Sequence, residues 1–288
     1  MRINRIWDSA LPSATSGRTF TASIGQETVV AQGAFLDHLC VGFTGQVDTG
    51  AVVIEAFMGS IALMTLRFGA ETRIQLDGND LVALSAFYYN QLPFIHENTD
   101  AAGDNIVGGI TIPVQQAVDA NKPFALSADL LDQANLDTEA LGVDGYWLNQ
   151  DYGRKPVHAV VTALTSAGAT GRDQFNFRLT PVGTMIGLII AMPAASDLGE
   201  ANLSLSFNRV EVIRDGEVVG SMNTVSSSRH AEESEALTKL PIGDLLHRYK
   251  RFDFRPEGFD LKDGVYNIAI DNQDASDALR IIPVVEIA

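Results

Sequence analysis

Between Leu203 and Asn223 the chain reads LSLSFNRVEVIRDGEVVGSMN. Leu203, Leu205 and Phe207 alternate with Ser204, Ser206 and Asn208, and Val210, Val212, Val218 and Val219 flank Asp215-Gly216. Alternation at period two marks a strand with one buried face. Asp-Gly between two such runs marks a tight hairpin. Helical periodicity cannot use this pattern, because residues two apart do not share a helix face. The stretch therefore commits its region to antiparallel sheet, and it carries no obvious catalytic side chain.

The same reading extends along the chain. Strands are expected at 19–24, 35–43, 51–57, 60–68, 71–76, 81–89, 106–114 and 123–128, and again at 157–165, 174–180, 184–192, 202–213, 217–225, 251–254, 264–270 and 279–287. Turn residues separate them: Gly45, Asp48-Thr49-Gly50, Asp77-Gly78, Gly103-Asp104, Gly108-Gly109, Gly168, Gly171, Asp215-Gly216 and Asp263-Gly264. Many short strands with turns between them predict a sandwich or barrel and argue against βαβ units. Sixteen strands in two groups of eight, split near residue 145, match two eight-stranded jelly rolls, which manage their edges by pairing two sheets.

The expected organisation is an N-terminal arm (1–18), a first jelly roll (19–135), a linker (136–156) and a second jelly roll (157–288). One or two short helices accompany them. Leu130, Leu131, Ala134 and Leu141 give a weak helical period at the junction, with Ser127 and Gly142 as caps. In PIGDLLHRYKRF (241–252), Ile242, Leu245, Leu246 and Tyr249 share a helix face behind Pro241. The halves resemble each other weakly. Asp77-Gly78 and Asp215-Gly216 stand 138 residues apart, while Gly109 and Gly264 stand 155 apart, so a repeat needs an insertion, for which the polar stretch 226–242 has the right size.

Composition narrows the chemistry. The chain has 288 residues, 46% of them hydrophobic, which supports a large core. No apolar run approaches the ~20 residues of a membrane span. The N-terminus has two early arginines and no apolar core of the signal-peptide kind, so secretion is not expected. Net charge is −16. Residues 1–144 carry 6 basic and 17 acidic side chains, net −11, and residues 145–288 carry 14 and 19, net −5. That balance opposes extensive phosphate neutralisation, so direct sequence-specific nucleic-acid binding is not expected.

Cys40 is the only cysteine, which excludes an intrachain disulfide and a cysteine-based metal cage. The five histidines are scattered, and none stands in a zinc-binding H-E-x-x-H. No nucleophile elbow, Walker loop or dinucleotide fingerprint is present. Asp271, Asp274 and Asp277, and Asp100 with Asp104, do not have EF-hand spacing. No catalytic residue, cofactor or metal is expected. Two basic stretches stand out against the acidity. Arg248, Lys250 and Arg251 lie on the expected second helix, and Arg2, Arg5 and Trp7 form a basic-apolar arm. Both suit contact with a neighbouring subunit, and the arm also suits an anionic membrane surface.

Taken with the stretches GSIALMTLRF (59–68), GGITIPV (108–114), FNFRLTPVGTMIGLIIAM (175–192) and EGFDLKDGVYNIAIDN (257–272), the two-barrel pattern resembles the double jelly-roll major capsid proteins of tailless icosahedral viruses. That lineage includes tectivirus- and corticovirus-type phages and the adenovirus hexon. The resemblance is architectural and covers most of the chain. It implies a non-enzymatic homotrimer of pseudo-sixfold shape that tiles the virion shell, often over an internal membrane. Separate vertex and minor capsid proteins complete such a shell, and host-cytoplasm synthesis precedes assembly. Two other readings stay open. A carbohydrate-binding sandwich of the spike or lectin kind would use exposed aromatics such as Tyr88-Tyr89 or Tyr146-Trp147, and a cupin-like or other β-sandwich enzyme would gather the scattered Asp, Glu and His.

Overall fold

The computed structural model describes residues 2–10, 18–24, 35–48, 58–89, 94–97, 102–117, 124–131, 136–163, 171–177, 183–191, 207–223, 249–262, 264–272 and 280–288. The chain forms two compact units, Met1–Val160 and Val161–Ala288. Both are built almost wholly of strands.

The second unit shows how the opening hairpin organises a domain. Its strands are β11 (Thr162–Ala163), β12 (Gly171–Phe177), β13 (Gly183–Ala191), β14 (Phe207–Arg214), β15 (Glu217–Asn223), β16 (Tyr249–Asp253), β17 (Phe259–Asp260), β18 (Tyr266–Asn272) and β19 (Arg280–Ile287). Asp215 and Gly216 join β14 to β15 with φ of 50° and 91°, the two positive values in succession that a type I′ turn needs. Pairing then proceeds outward from this turn: β14 with β15, β13 with β16, β12 with β18, and β11 with β19, all antiparallel. A long ribbon nested in this way and rolled up gives the jelly roll, with one sheet ordered β12-β18-β14-β15 and β13 bonded to β19 in the other. Met185, Leu188, Ile190, Val210, Val212, Phe252, Ile268, Ile270, Ile281 and Val285 fill the space between the sheets. Burying an aliphatic side chain of this size contributes about 1.5–3 kcal/mol.

The first unit nests the same way. Its strands are β1 (Arg2–Ala10), β2 (Arg18–Ile24), β3 (Phe35–Val47), β4 (Ile61–Phe68), β5 (Glu71–Leu76), β6 (Phe94–Glu97), β7 (Asn105–Ala117), β8 (Phe124–Leu130), β9 (Leu136–Leu148) and β10 (Val157–Val160). β1 pairs β9, β2 pairs β8 and β3 pairs β7, closing on the β4–β5 hairpin. One sheet runs β1-β9-β3-β7-β6, and in the other β8 lies between β2 and β4 while β10 joins β5 in parallel. Leu39, Val41 and Phe43 face inward on β3, and Phe68 meets Phe124 edge-on with ring centroids 5.2 Å apart.

Several expectations are corrected here. Residues 81–89 are not a strand but most of helix α1 (Gly78–Tyr89). Asp77 does not turn a hairpin; it caps the helix, its Oδ1 accepting the Asp80 N–H at 2.8 Å and its carbonyl the Leu81 N–H at 2.9 Å. Gly78 is required because a Cβ there would stand 2.0 Å from the Met58 carbonyl oxygen. The arm expected at 1–18 is in part an edge strand, β1. The linker expected at 136–156 is a 13-residue strand over 136–148, so its weak helical period is not used. The helix expected at 241–252 is replaced over Tyr249–Asp253 by β16. The expected strand at 51–57, the polar stretch 226–242 and residues 241–248 lie outside the described residues.

Candidate assembly surfaces

Of the residues expected at subunit contacts, Arg2, Arg5, Trp7, Lys250 and Arg251 fall on strands at the ends of the described sheets. Among the described residues, β1 has β9 on one side and no further strand in its sheet. In register, Arg2 stands opposite Trp147, Arg5 opposite Asp144 and Trp7 opposite Val143, with a bulge between Arg5 and Trp7. Bulges and charged residues on an edge discourage unspecific strand pairing while leaving the edge open to a chosen partner. Lys250 and Arg251 lie on β16, opposite Ile190 and Ile189 of β13. Burial pushes the Arg251 guanidinium below its ordinary value, only partly countered by Asp253. This is a strand side chain laid against the sheet, where the sequence predicts a solvated helix face. Arg248 lies outside the described residues.

The turn after β16 is tightly built. Arg255 grips Asp253 with a fork of hydrogen bonds, Nε to Oδ1 at 2.9 Å and Nη2 to Oδ2 at 2.6 Å. Gly258, at φ 66°, donates its N–H to the Phe254 carbonyl at 2.8 Å, and a Cβ there would lie 2.6 Å from Thr184.

Sequence reasoning misses a polar knot at one end of the first unit. A bulge between Leu36 and His38 makes Asp37 an extra residue against β9, while β7 places two residues, Val114 and Gln115, opposite it. His38 Nδ1 lies 2.8 Å from Asp37 Oδ2, and Asp37 Oδ1 accepts from Arg154 Nη1. The His38 ring stacks on Tyr146 at 4.3 Å and meets Tyr89 edge-on at 6.3 Å. On β7, Gln115 sits at φ 51° and accepts the Tyr88 hydroxyl at 2.8 Å. Burial, with Asp37 second, drives the Tyr89 hydroxyl far above its ordinary value. Tyr88-Tyr89 and Tyr146-Trp147 are thus packed into this knot and its sheet, and they form no open aromatic platform. Trp147 itself is only 5% exposed.

Neither Cys40 nor His158 is activated by its surroundings. Burial raises the Cys40 thiol, with Thr111 partly opposing, whereas a reactive cysteine needs the reverse shift. His158 is pushed down to about 4 by burial and then by Arg73, so it stays neutral at pH 7. Among the described residues no three His, Cys, Asp or Glu side chains gather as a metal site.

Known proteins match this chain by fold and not by sequence. No protein-family model matches the sequence, and no curated protein matches it. The STIV major capsid protein superposes with a TM-score of 0.68 at 12% identity, covering 100% of this chain and 97% of that one. A chain of the Sulfolobus turreted icosahedral virus structure gives 0.71 at 13%, covering 99% and 90%. The major capsid protein of bacteriophage PM2 gives 0.61 at 12%, covering 100% and 97%. The chain has the double jelly-roll fold seen in these capsid proteins.

Proposed function

We propose that this chain is a major capsid protein, a structural subunit of an icosahedral virion shell. The observation that carries the reading is the end-to-end correspondence of both jelly-roll units with capsid subunits of similar length. The work of such a protein is geometric. Three copies with two units each place six jelly rolls around a threefold axis, a pseudo-hexagonal outline that tiles a curved lattice. In a closed ring of three such chains the units alternate, so each contact between copies joins a first unit to a second and is heterologous. The edges of β1 and β16, with Arg2, Arg5, Trp7, Lys250 and Arg251, are our assignments for those contacts, together with Arg248. Vertex and minor capsid proteins are the expected further partners, and an internal membrane is the surface the Arg2–Trp7 strand would face. The protein is placed in the virion after synthesis in the host cytoplasm, and no enzymatic step is assigned to it.

Size-exclusion chromatography with light scattering tests this directly. The expected species is a trimer, with hexagonal outlines in negative stain. A chain that stays monomeric at every concentration tested overturns the reading.

A further inference from the structure

The knot around Asp37 contains an arrangement that core packing does not call for. Three neighbouring strands are adjusted at one position. β3 inserts Asp37 as an extra residue, β9 runs past it without a partner residue, and β7 answers with two residues, Val114 and Gln115. Gln115 holds a left-handed backbone, φ 51°, a strained conformation for a non-glycine residue. The product of this strain is a carboxylate whose two oxygens serve different partners. Oδ2 faces His38, whose ring is fixed by its stack on Tyr146, and Oδ1 takes Arg154 from 117 residues away.

Arg154 belongs to the stretch 149–156 between β9 and β10, of which residues 149–155 are all exposed. Within the stretch the Gly153 N–H donates to Asp151 Oδ1 at 2.8 Å. Among the described residues, the Arg154 side chain is the polar tie between this stretch and the rest of its unit. The Asp37 side chain is 13% exposed and that of Arg154 47%. The pair is anchored in a buried carboxylate, and its half-exposed guanidinium is the side open to ions.

We propose that Asp37 and Arg154 form a salt-sensitive clasp that holds residues 149–156 against the first unit and frees them when the pair is screened or broken. The strained bulge is the device that presents Asp37 to Arg154. His38 and Tyr146 are positioning residues that keep the carboxylate turned outward. The clasp acts within one unit and stands whether or not copies assemble.

Hydrogen exchange on the full chain, followed by mass spectrometry of peptides spanning 149–156, tests it. Arg154→Gln, a change on the solvent side that leaves the core intact, is expected to speed exchange there by about threefold or more. Arg154→Lys should fall between the two, because one ammonium replaces a guanidinium fork. Raising salt to about 1 M should accelerate exchange in the natural protein and leave Arg154→Gln unchanged, since screening acts only on a charged pair. Asp37→Asn should match Arg154→Gln, and peptides from β8 serve as the control. Exchange in Arg154→Gln less than about threefold faster than in the natural protein overturns the clasp, as does an equal salt response in both.

Discussion

His158 offers a sharp test of how this fold holds a titratable group. It sits on β10 beside β5, where burial and the Arg73 guanidinium lower its pKa from 6.5 to about 4, with Glu71 opposing. In the unfolded chain the imidazole regains its ordinary value. As pH falls through that value, the unfolded state takes up a proton that the folded state refuses, so the contribution is full above about pH 6.5 and is lost progressively toward pH 4. Lowering the pH from about 7 to about 5 should therefore remove roughly 2 kcal/mol of stability through this residue alone. That is an upper figure, since the ring is not wholly withdrawn from solvent. His158→Gln keeps a polar side chain of similar size and cannot protonate. Urea unfolding of both proteins across this range isolates the histidine, because every carboxylate contribution is common to the two. The natural protein should lose stability faster than the variant. Parallel curves would refute the reasoning, and a natural protein that gains on the variant as pH falls would reverse its sign.

Two further outcomes follow from the packing. Asp77→Ala removes the α1 cap and should lower stability by about 1 kcal/mol, seen as a fall in denaturation midpoint with unchanged slope. Phe252→Ala empties a position that is 1% exposed in the second unit's core and should cost about 3–5 kcal/mol, read as a large drop in melting temperature.

Local pattern revealed the fold where one face of a strand is apolar and the other polar. The β14–β15 hairpin shows this, because its alternation and its Asp-Gly turn agree. It failed where the environment is apolar on every side. In α1, Leu81 to Phe87 are all buried, so no helical stripe distinguishes Leu81-Val82-Ala83-Leu84 from a buried strand. It failed again in β9, where Gly142 and Gly145 thin the alternation carried by Leu141, Val143 and Trp147. In β1 the bulge after Arg5 shifts the phase. The edge positions of Lys250 and Arg251 were hidden because helical spacing and a strand share Tyr249 and Phe252 as buried anchors. The Asp37 knot had no local signal, since its members come from β3, β7, β9, α1 and the stretch after β9.

The pairing of β1 with β9 also sets a timetable. The strand Arg2–Ala10 finds its neighbour only when the much later Leu136–Leu148 has been made. Until then β1 is without its β9 partner on a growing chain. The sheet of the first unit closes late and by a long-range contact, the slowest kind to form. A nascent chain stalled before β9 is the stage at which this protein is most exposed to capture by chaperones or by other unfinished copies of itself.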